Sequence, residues 1–165
     1  RYGDLIEDES SRYEFEQSVN NDAIFKMFNE VKQIIINRFG ERKFGINSWD
    51  ELSEDYFYKQ HIDENYKINN GENRKEVATR MYETLQEILA NYKGKTCVIV
   101  SHGTAISFLL MKWCTTDISL DSNNKFIRDI IFKDQQVISG VFDAPELFKL
   151  EFDENNNILD IKNLK

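Results

Sequence analysis

Two short segments carry residue types that can do acid–base and anion chemistry. In the first, Ser101-His102-Gly103-Thr104 follows the β-branched run Val98-Ile99-Val100 and opens an apolar stretch that reads as a helix. An imidazole at the carboxyl end of a parallel strand stands where ligands bind in open α/β sheets. The backbone N–H groups of Gly103 and Thr104 then fall at a helix N-terminus, which favours an anion. Gly103 also leaves room for a ligand to approach the backbone closely. In the second segment, Glu41-Arg42-Lys43 lies between Gly40 and Gly45. A carboxylic acid on such a loop can protonate a leaving alkoxide, and Arg42 or Lys43 can pair with a phosphate or carboxylate. Each segment also has a plainer reading. His102 can simply end a strand and find a hydrogen bond, and the charged loop can be a solvated turn.

The elements that must position these groups are read from periodicity. Thr96 to Val100 is a continuous apolar run, the pattern of a parallel strand buried on both faces. Gly103 to Cys114 is apolar nearly all round and predicts a buried helix. Val77, Met81, Leu85, Ile88 and Leu89 repeat at helical spacing, so a helix is expected from about Asn73 to Tyr92, stopped at Gly94. Further upstream, Ile24 to Val31 predicts a helix and Ile34-Ile35-Ile36 a second buried strand leading into the Glu41 loop. Ser48-Trp49-Asp50-Glu51 has the form of a capping box, so a helix is expected to start there, with Trp49, Leu52 and Tyr56 on one face. Residues 60–71 and 117–125 read as polar loops, and 126–141 gives mixed signals. Phe148 to Phe152 alternates strictly and predicts a strand, Asp153 to Asn157 a turn, and Ile158 to Leu164 a return strand. Helices interleaved with strands predict one α/β domain over residues 1–165, with a mostly parallel sheet flanked by helices.

Composition limits what such a domain can do. The 165 residues are 41% hydrophobic with a single proline, which is globular rather than disordered. The formal net charge of −8 argues against tracking a nucleic-acid backbone, and it requires any phosphate site to be built locally from a few cations and amides. No apolar run approaches the ~20 residues of a membrane span. Arg1 is not followed by the apolar core of a secretory leader, and Cys97 and Cys114 show no metal spacing and read as buried, reduced thiols. The expected setting is therefore cytoplasmic, with no metal, cofactor, nucleic acid or membrane as partner, and self-association left open. Trp49 and Trp113 read as packing residues.

Taken in order, the motifs resemble the later part of the histidine phosphatase, or phosphoglycerate-mutase-like, superfamily. Glu41-Arg42-Lys43-Phe44-Gly45 is similar to the family's acid/base loop, Gly71-Glu72-Asn73 to its helix start, and Ser101-His102-Gly103 to its second catalytic histidine motif. Arg80 falls where the family often carries an arginine, and Pro145 to Phe152 is similar to its closing strands. The resemblance covers roughly residues 34–165. It implies a phosphomonoester substrate, a phosphohistidine intermediate, and no cofactor. It implies His102 stabilising the transferring phosphoryl group and Glu41 serving the leaving group. It also implies phosphate contacts from Gly103, Thr104, Arg42 and Arg12.

The early motifs of that family do not match. No Arg-His-Gly occurs, and the only other histidine, His61, sits in a polar segment. Arg1-Tyr2-Gly3 has Tyr in place of His with no strand before it, and Ser10-Ser11-Arg12 only weakly resembles the family's Ser-Pro-x-x-Arg-Ala segment. The resemblance therefore implies a domain lacking its first strand. Three readings stay open: part of a phosphatase or mutase, a catalytically inactive relative that binds a phosphorylated ligand or a protein partner, and an α/β domain whose His-Gly turn is structural.

Overall fold

A computed structural model of the chain describes residues 37–122, 126–140 and 145–164. The chain divides into a unit Arg1–Asn37 and a larger unit Arg38–Lys165, and every described residue except Asn37 belongs to the larger unit. The helix expected at Ile24 to Val31, the strand at Ile34 to Ile36, and Arg12 lie outside the described residues.

Three helices are present among the described residues: α1 (Tyr56–Ile62), α2 (Arg74–Asn91) and α3 (Gly103–Leu110). Helix α2 forms where its apolar period places it. Asn73 caps it, its side-chain oxygen accepting from the Glu76 N–H at 2.8 Å while Glu76 reaches back to the Asn73 N–H at 2.9 Å. Val77, Met81 and Leu85 are buried on one face, and Gly94 comes just after the helix at φ +71°. Helix α3 ends at Leu110, short of the expected Cys114, and packs against α2. The segment after Ser48 holds one 3-10 turn, Trp49–Glu51, with Glu51 accepting from the Ser48 and Asn47 N–H groups. The α-helix proper starts seven residues later as α1, which occupies part of the expected 60–71 loop.

The expected parallel sheet is not what forms. Among the described residues five strands make two small antiparallel sheets: β1 (Thr115–Leu120), β2 (Phe126–Phe132) and β3 (Gln135–Gly140) in the order β1-β2-β3, and β4 (Phe148–Phe152) paired with β5 (Ile158–Asn163). Chain connectivity requires this. Parallel neighbours need a crossover of a dozen or more residues, whereas β2 and β3 are joined by Lys133-Asp134 alone and β4 and β5 by the Asp153 turn. Both Lys133 and Asp134 have positive φ (46° and 65°), which suits a tight hairpin. In the β4–β5 turn, Asp153 accepts from the Asn155 and Asn157 N–H groups.

Thr96 to Val100 forms no ladder, and Val98 and Val100 are 60% and 63% exposed. Its apolar composition matches a doubly buried strand, but no described strand lies beside it to bury it. Cys97 is likewise exposed, Cys114 half-buried with burial pushing its thiol up to about 11, and Trp49 largely exposed. Trp113 does pack, against Tyr82 and Phe152. The apolar core joins the end of α3 to both sheets through Leu110, Ile130, Phe132, Val137, Ile138 and Ile161. Among the described residues no helix is long and apolar enough to cross a membrane.

Candidate functional site

His102 stands at the N-cap of α3 in extended conformation (φ −100°, ψ 149°) and is exposed. Its carbonyl accepts from the Ile106 N–H at 2.9 Å. The N–H groups of Gly103, Thr104 and Ala105 come before that first intrahelical donor, so the helix itself leaves them unpaired. Gly103 and Thr104 are partly exposed, and a small anion has access to that turn. Ser107 returns its hydroxyl to the Gly103 carbonyl at 2.7 Å, within the same turn.

The acid loop is fastened to this turn. Ser101 Oγ donates to the Phe39 carbonyl at 2.6 Å, which ties the residue before His102 to the residue two before Glu41. Glu41 is partly exposed, and its Oε1 accepts from the Arg42 N–H at 2.8 Å. The loop is also held from α2. Arg80 Nη1 donates to the carbonyls of Arg38 (2.7 Å) and Gly40 (3.0 Å), and Nη2 to that of Glu41 (3.0 Å). Glu72 fixes the other edge of that guanidinium, through Nε at 2.8 Å and Nη2 at 3.0 Å. The arginine keeps the Glu72 carboxyl below its usual range against the opposing effect of burial.

Glu72 belongs to a second tight contact. Its N–H donates to the Lys43 carbonyl at 2.7 Å, and its carboxylate accepts from the Lys43 N–H at 2.8 Å. Gly45 and Gly71 make this approach possible. A Cβ on Gly45 would lie 2.2 Å from the Gly71 nitrogen, and one on Gly71 would lie 2.5 Å from the Phe44 carbonyl oxygen. The Glu41 loop and the α2 start, separate motifs in the sequence, are thus one packed unit.

Two features depart from the sequence reading. Arg42, expected on a solvated loop, is 5% exposed. Its guanidinium lies over Phe44 (4.6 Å), Phe57 (5.1 Å), Phe108 (5.9 Å) and Tyr56 (6.0 Å), and its Nε and Nη1 have no hydrogen-bond acceptor. Each cation–π contact contributes about 1 kcal/mol, against several kcal/mol for desolvating an ion. The aromatic box therefore offsets only part of the cost.

His61 is not in a loop but in α1, and it is 3% exposed. Its Nδ1 lies 2.7 Å from the Phe57 carbonyl and its Nε2 2.6 Å from Arg128 Nη1. The arginine donates, so Nε2 is the acceptor and Nδ1 carries the proton. Burial, with Arg128, Arg42 and Arg74 nearby, pulls the imidazole down to about 3. Arg128, missed in the sequence, is 6% exposed and is pulled down to about 10, by burial first and then by Arg42. It shares the inward face of β2 with Ile130 and Phe132. An arginine inside an apolar alternation was the signal that marked it.

No group of three or more His, Cys, Asp or Glu residues that could hold a metal ion occurs among the described residues. The family model for the histidine phosphatase superfamily (branch 1) matches residues 23–127, well over half of the chain, including Glu41, Arg80 and His102. No curated protein and no solved structure matches the chain. The chain belongs to the histidine phosphatase superfamily, and that membership supports phosphatase- or mutase-type chemistry in general terms.

Proposed function

We propose that this chain binds a phosphomonoester between the α3 N-terminus and the Glu41 loop. The Ser101–Phe39 hydrogen bond carries the reading, because it holds the His102 turn and the acid loop side by side. In this reading the phosphate oxygens lie against the Gly103 and Thr104 N–H groups. The His102 imidazole donates to a third oxygen and offsets its charge. The Glu41 carboxyl faces the ester oxygen, the position from which an acid serves a leaving group where a nucleophile attacks phosphorus. Arg42 and Arg12 are the sequence's candidates for the same phosphate; Arg42 is buried against aromatic rings, and Arg12 lies outside the described residues.

Phosphoryl transfer through a phosphohistidine needs a second, accessible imidazole. The sequence has two histidines, and His61 is buried with both ring nitrogens engaged. That observation favours binding without turnover for these 165 residues. The test is hydrolysis of an aryl phosphate, together with the thermal midpoint in inorganic phosphate, for the chain and for His102→Ala and Glu41→Gln. The expected result is no turnover, with phosphate raising the midpoint less in His102→Ala than in the parent. Turnover abolished by both substitutions would overturn the non-catalytic reading. A phosphate effect that His102→Ala leaves unchanged would remove His102 from the site.

A further inference from the structure

The segment after the acid loop presents aromatic surface beside acidic surface. Phe44, Gly45, Ile46, Asn47, Ser48 and Trp49 line an open cleft of about 280 Å³, near the lower limit of roughly 300 Å³ for small-ligand sites. Trp49 is 67% exposed, although tryptophan is highly buried on average. Its ring meets Phe44 edge to face with centroids 5.0 Å apart, and the ring of Phe57, also exposed, lies 6.3 Å from Phe44. A hydrogen-bonded turn holds the indole there. Glu51 accepts from the Asn47 and Ser48 N–H groups at 3.0 and 3.1 Å, and the Leu52 N–H donates to the Trp49 carbonyl at 3.2 Å. Asn69 Nδ2 donates to the Gly45 carbonyl at 3.1 Å. The charge nearby in the chain is of one sign. Phe44 to Asp55 contains Asp50, Glu51, Glu54 and Asp55 and no lysine or arginine, and all four acids are exposed. Among the described residues Asp55 pairs with Lys59 at 2.8 Å, whereas Asp50, Glu51 and Glu54 have no salt bridge. Arg42 already lies over the Phe44 ring, but no described cation lies over Trp49.

We propose that the Trp49 cleft is a docking site for an arginine side chain of a partner protein. A guanidinium stacks flat on an indole and keeps its N–H donors in its own plane, where carboxylates of the same turn can accept them. Asp50 follows Trp49 directly, and Glu54 lies two residues before α1. Lysine fits less well, because its ammonium is a point charge that holds its water and cannot stack. An uncharged apolar group would cover the indole but draw the carboxylates away from water without a partner. An acidic group would be repelled by the turn and by the chain's net charge of −8. The cleft is small enough for one side chain, and the preformed turn lowers the ordering cost of receiving it. The site uses neither His102 nor Glu41, so it stands or falls apart from the phosphate site.

Two tryptophans make the test specific to the cleft. The full chain is labelled with fluorotryptophan, and its two fluorine NMR signals are assigned with Trp49→Phe. Trp113, packed against Tyr82 and Phe152, is the internal control. Short capped glycine peptides carrying two arginines, two lysines or two glutamates are titrated at constant low salt. The Trp49 signal is expected to move saturably with the arginine peptide while Trp113 stays in place. The lysine peptide, equal in charge, is expected to bind about fivefold more weakly, and the glutamate peptide not at all. The double variant Asp50→Asn with Glu54→Gln is expected to weaken the arginine response about tenfold. Both positions are exposed, so folding is not at stake. A Trp49 signal that ignores the arginine peptide would overturn the site. Equal binding of the lysine peptide would overturn the choice of arginine, and unchanged affinity in the double variant would overturn the part given to the carboxylates. His102→Ala is expected to leave the Trp49 response as it is, so failure of this site and failure of the phosphate site are read separately.

Discussion

The Ser101 hydroxyl and the Phe39 carbonyl, 62 positions apart in sequence, meet at 2.6 Å. His102 follows the donor directly, and Glu41 lies two residues past the acceptor. Neither loop belongs to a sheet among the described residues, so this bond and the Arg80 contacts set their spacing. Ser101→Ala should destabilise the chain by about 1 kcal/mol, because it leaves the Phe39 carbonyl without its donor. It should also weaken phosphate binding, whereas Ser101→Thr keeps the hydroxyl and should keep both properties. Thermal unfolding with and without phosphate reads the two effects together. A phosphate effect that survives Ser101→Ala intact would mean the loops are positioned by Arg80 alone.

Arg80 donates to three carbonyls of the 38–41 segment and forms a two-point ion pair with Glu72. The paired side chains are 19% and 16% exposed, so the pair is mostly screened from water. Arg80→Ala should cost about 2–4 kcal/mol, since it strands Glu72 and three carbonyls at once. Arg80→Lys should recover little of this, because an ammonium cannot span both edges of the fork. Urea titration of the three proteins is the measurement. A lysine variant as stable as the parent would show that charge, not geometry, holds the acid loop.

Where the sequence spoke through long or regular patterns, the structure follows it. Helix α2 has five apolar positions on one face and a reciprocal cap at Asn73 and Glu76, so its ends fall where expected. Strands β4 and β5 alternate on both sides of an Asp153 turn and were equally legible. The failures have local causes. Thr115–Leu120 is a strand of mostly exposed polar residues, so its composition imitates a loop. Lys133-Asp134 makes a two-residue hairpin without the usual Asn-Gly signature. Thr96–Val100 has the residues of a buried strand, but burial depends on what lies beside a segment, and its own composition carries no information about a neighbour.

The same limit applies to the site. Glu41, His102 and the α2 start were visible as motifs, while their mutual fastening through Arg80, Glu72 and Ser101 is a tertiary fact with no local sequence signal. Arg42 and His61 were visible as residue types but misplaced, because a polar neighbourhood in sequence does not imply solvent in space. Arg42 is covered by Tyr56 and Phe57 of α1 and by Phe108 of α3, and His61 packs against Phe108, contacts that link distant parts of the sequence.

The two glycines between the acid loop and α2 give a graded test of packing. Gly45 has φ +72° and no room for a Cβ, and Gly71 has no room either. Alanine at either position must push two backbones apart and should cost about 2 kcal/mol or more. Gly94 has φ +71° but open space around it, so Gly94→Ala should cost only about 1 kcal/mol from backbone conformation. Urea midpoints of the three variants provide the comparison. Equal losses at Gly45 and Gly94 would mean that the φ angle, and not the close approach to Gly71, sets the requirement at Gly45.

The buried His61 predicts how stability responds to acid. Its folded value of about 3 lies below the ordinary 6.5, so between those limits the unfolded chain binds a proton that the folded chain refuses. Stability must then fall as pH drops from about 6.5 toward 3, by up to about 1.4 kcal/mol per pH unit from this group. Above pH 6.5 His61 contributes no slope. Carboxylates held low in the fold, Glu72 among them, add an acid slope of their own, so the parent must be compared with His61→Gln. Glutamine cannot take the proton and its oxygen can still accept from Arg128, so the variant should show a shallower slope between pH 6.5 and 4. Unfolding free energies measured across that range decide the point. Matching slopes would mean that His61 does protonate in the folded chain, and an imidazolium could not keep its 2.6 Å contact with the Arg128 guanidinium, so the two side chains would have to move apart.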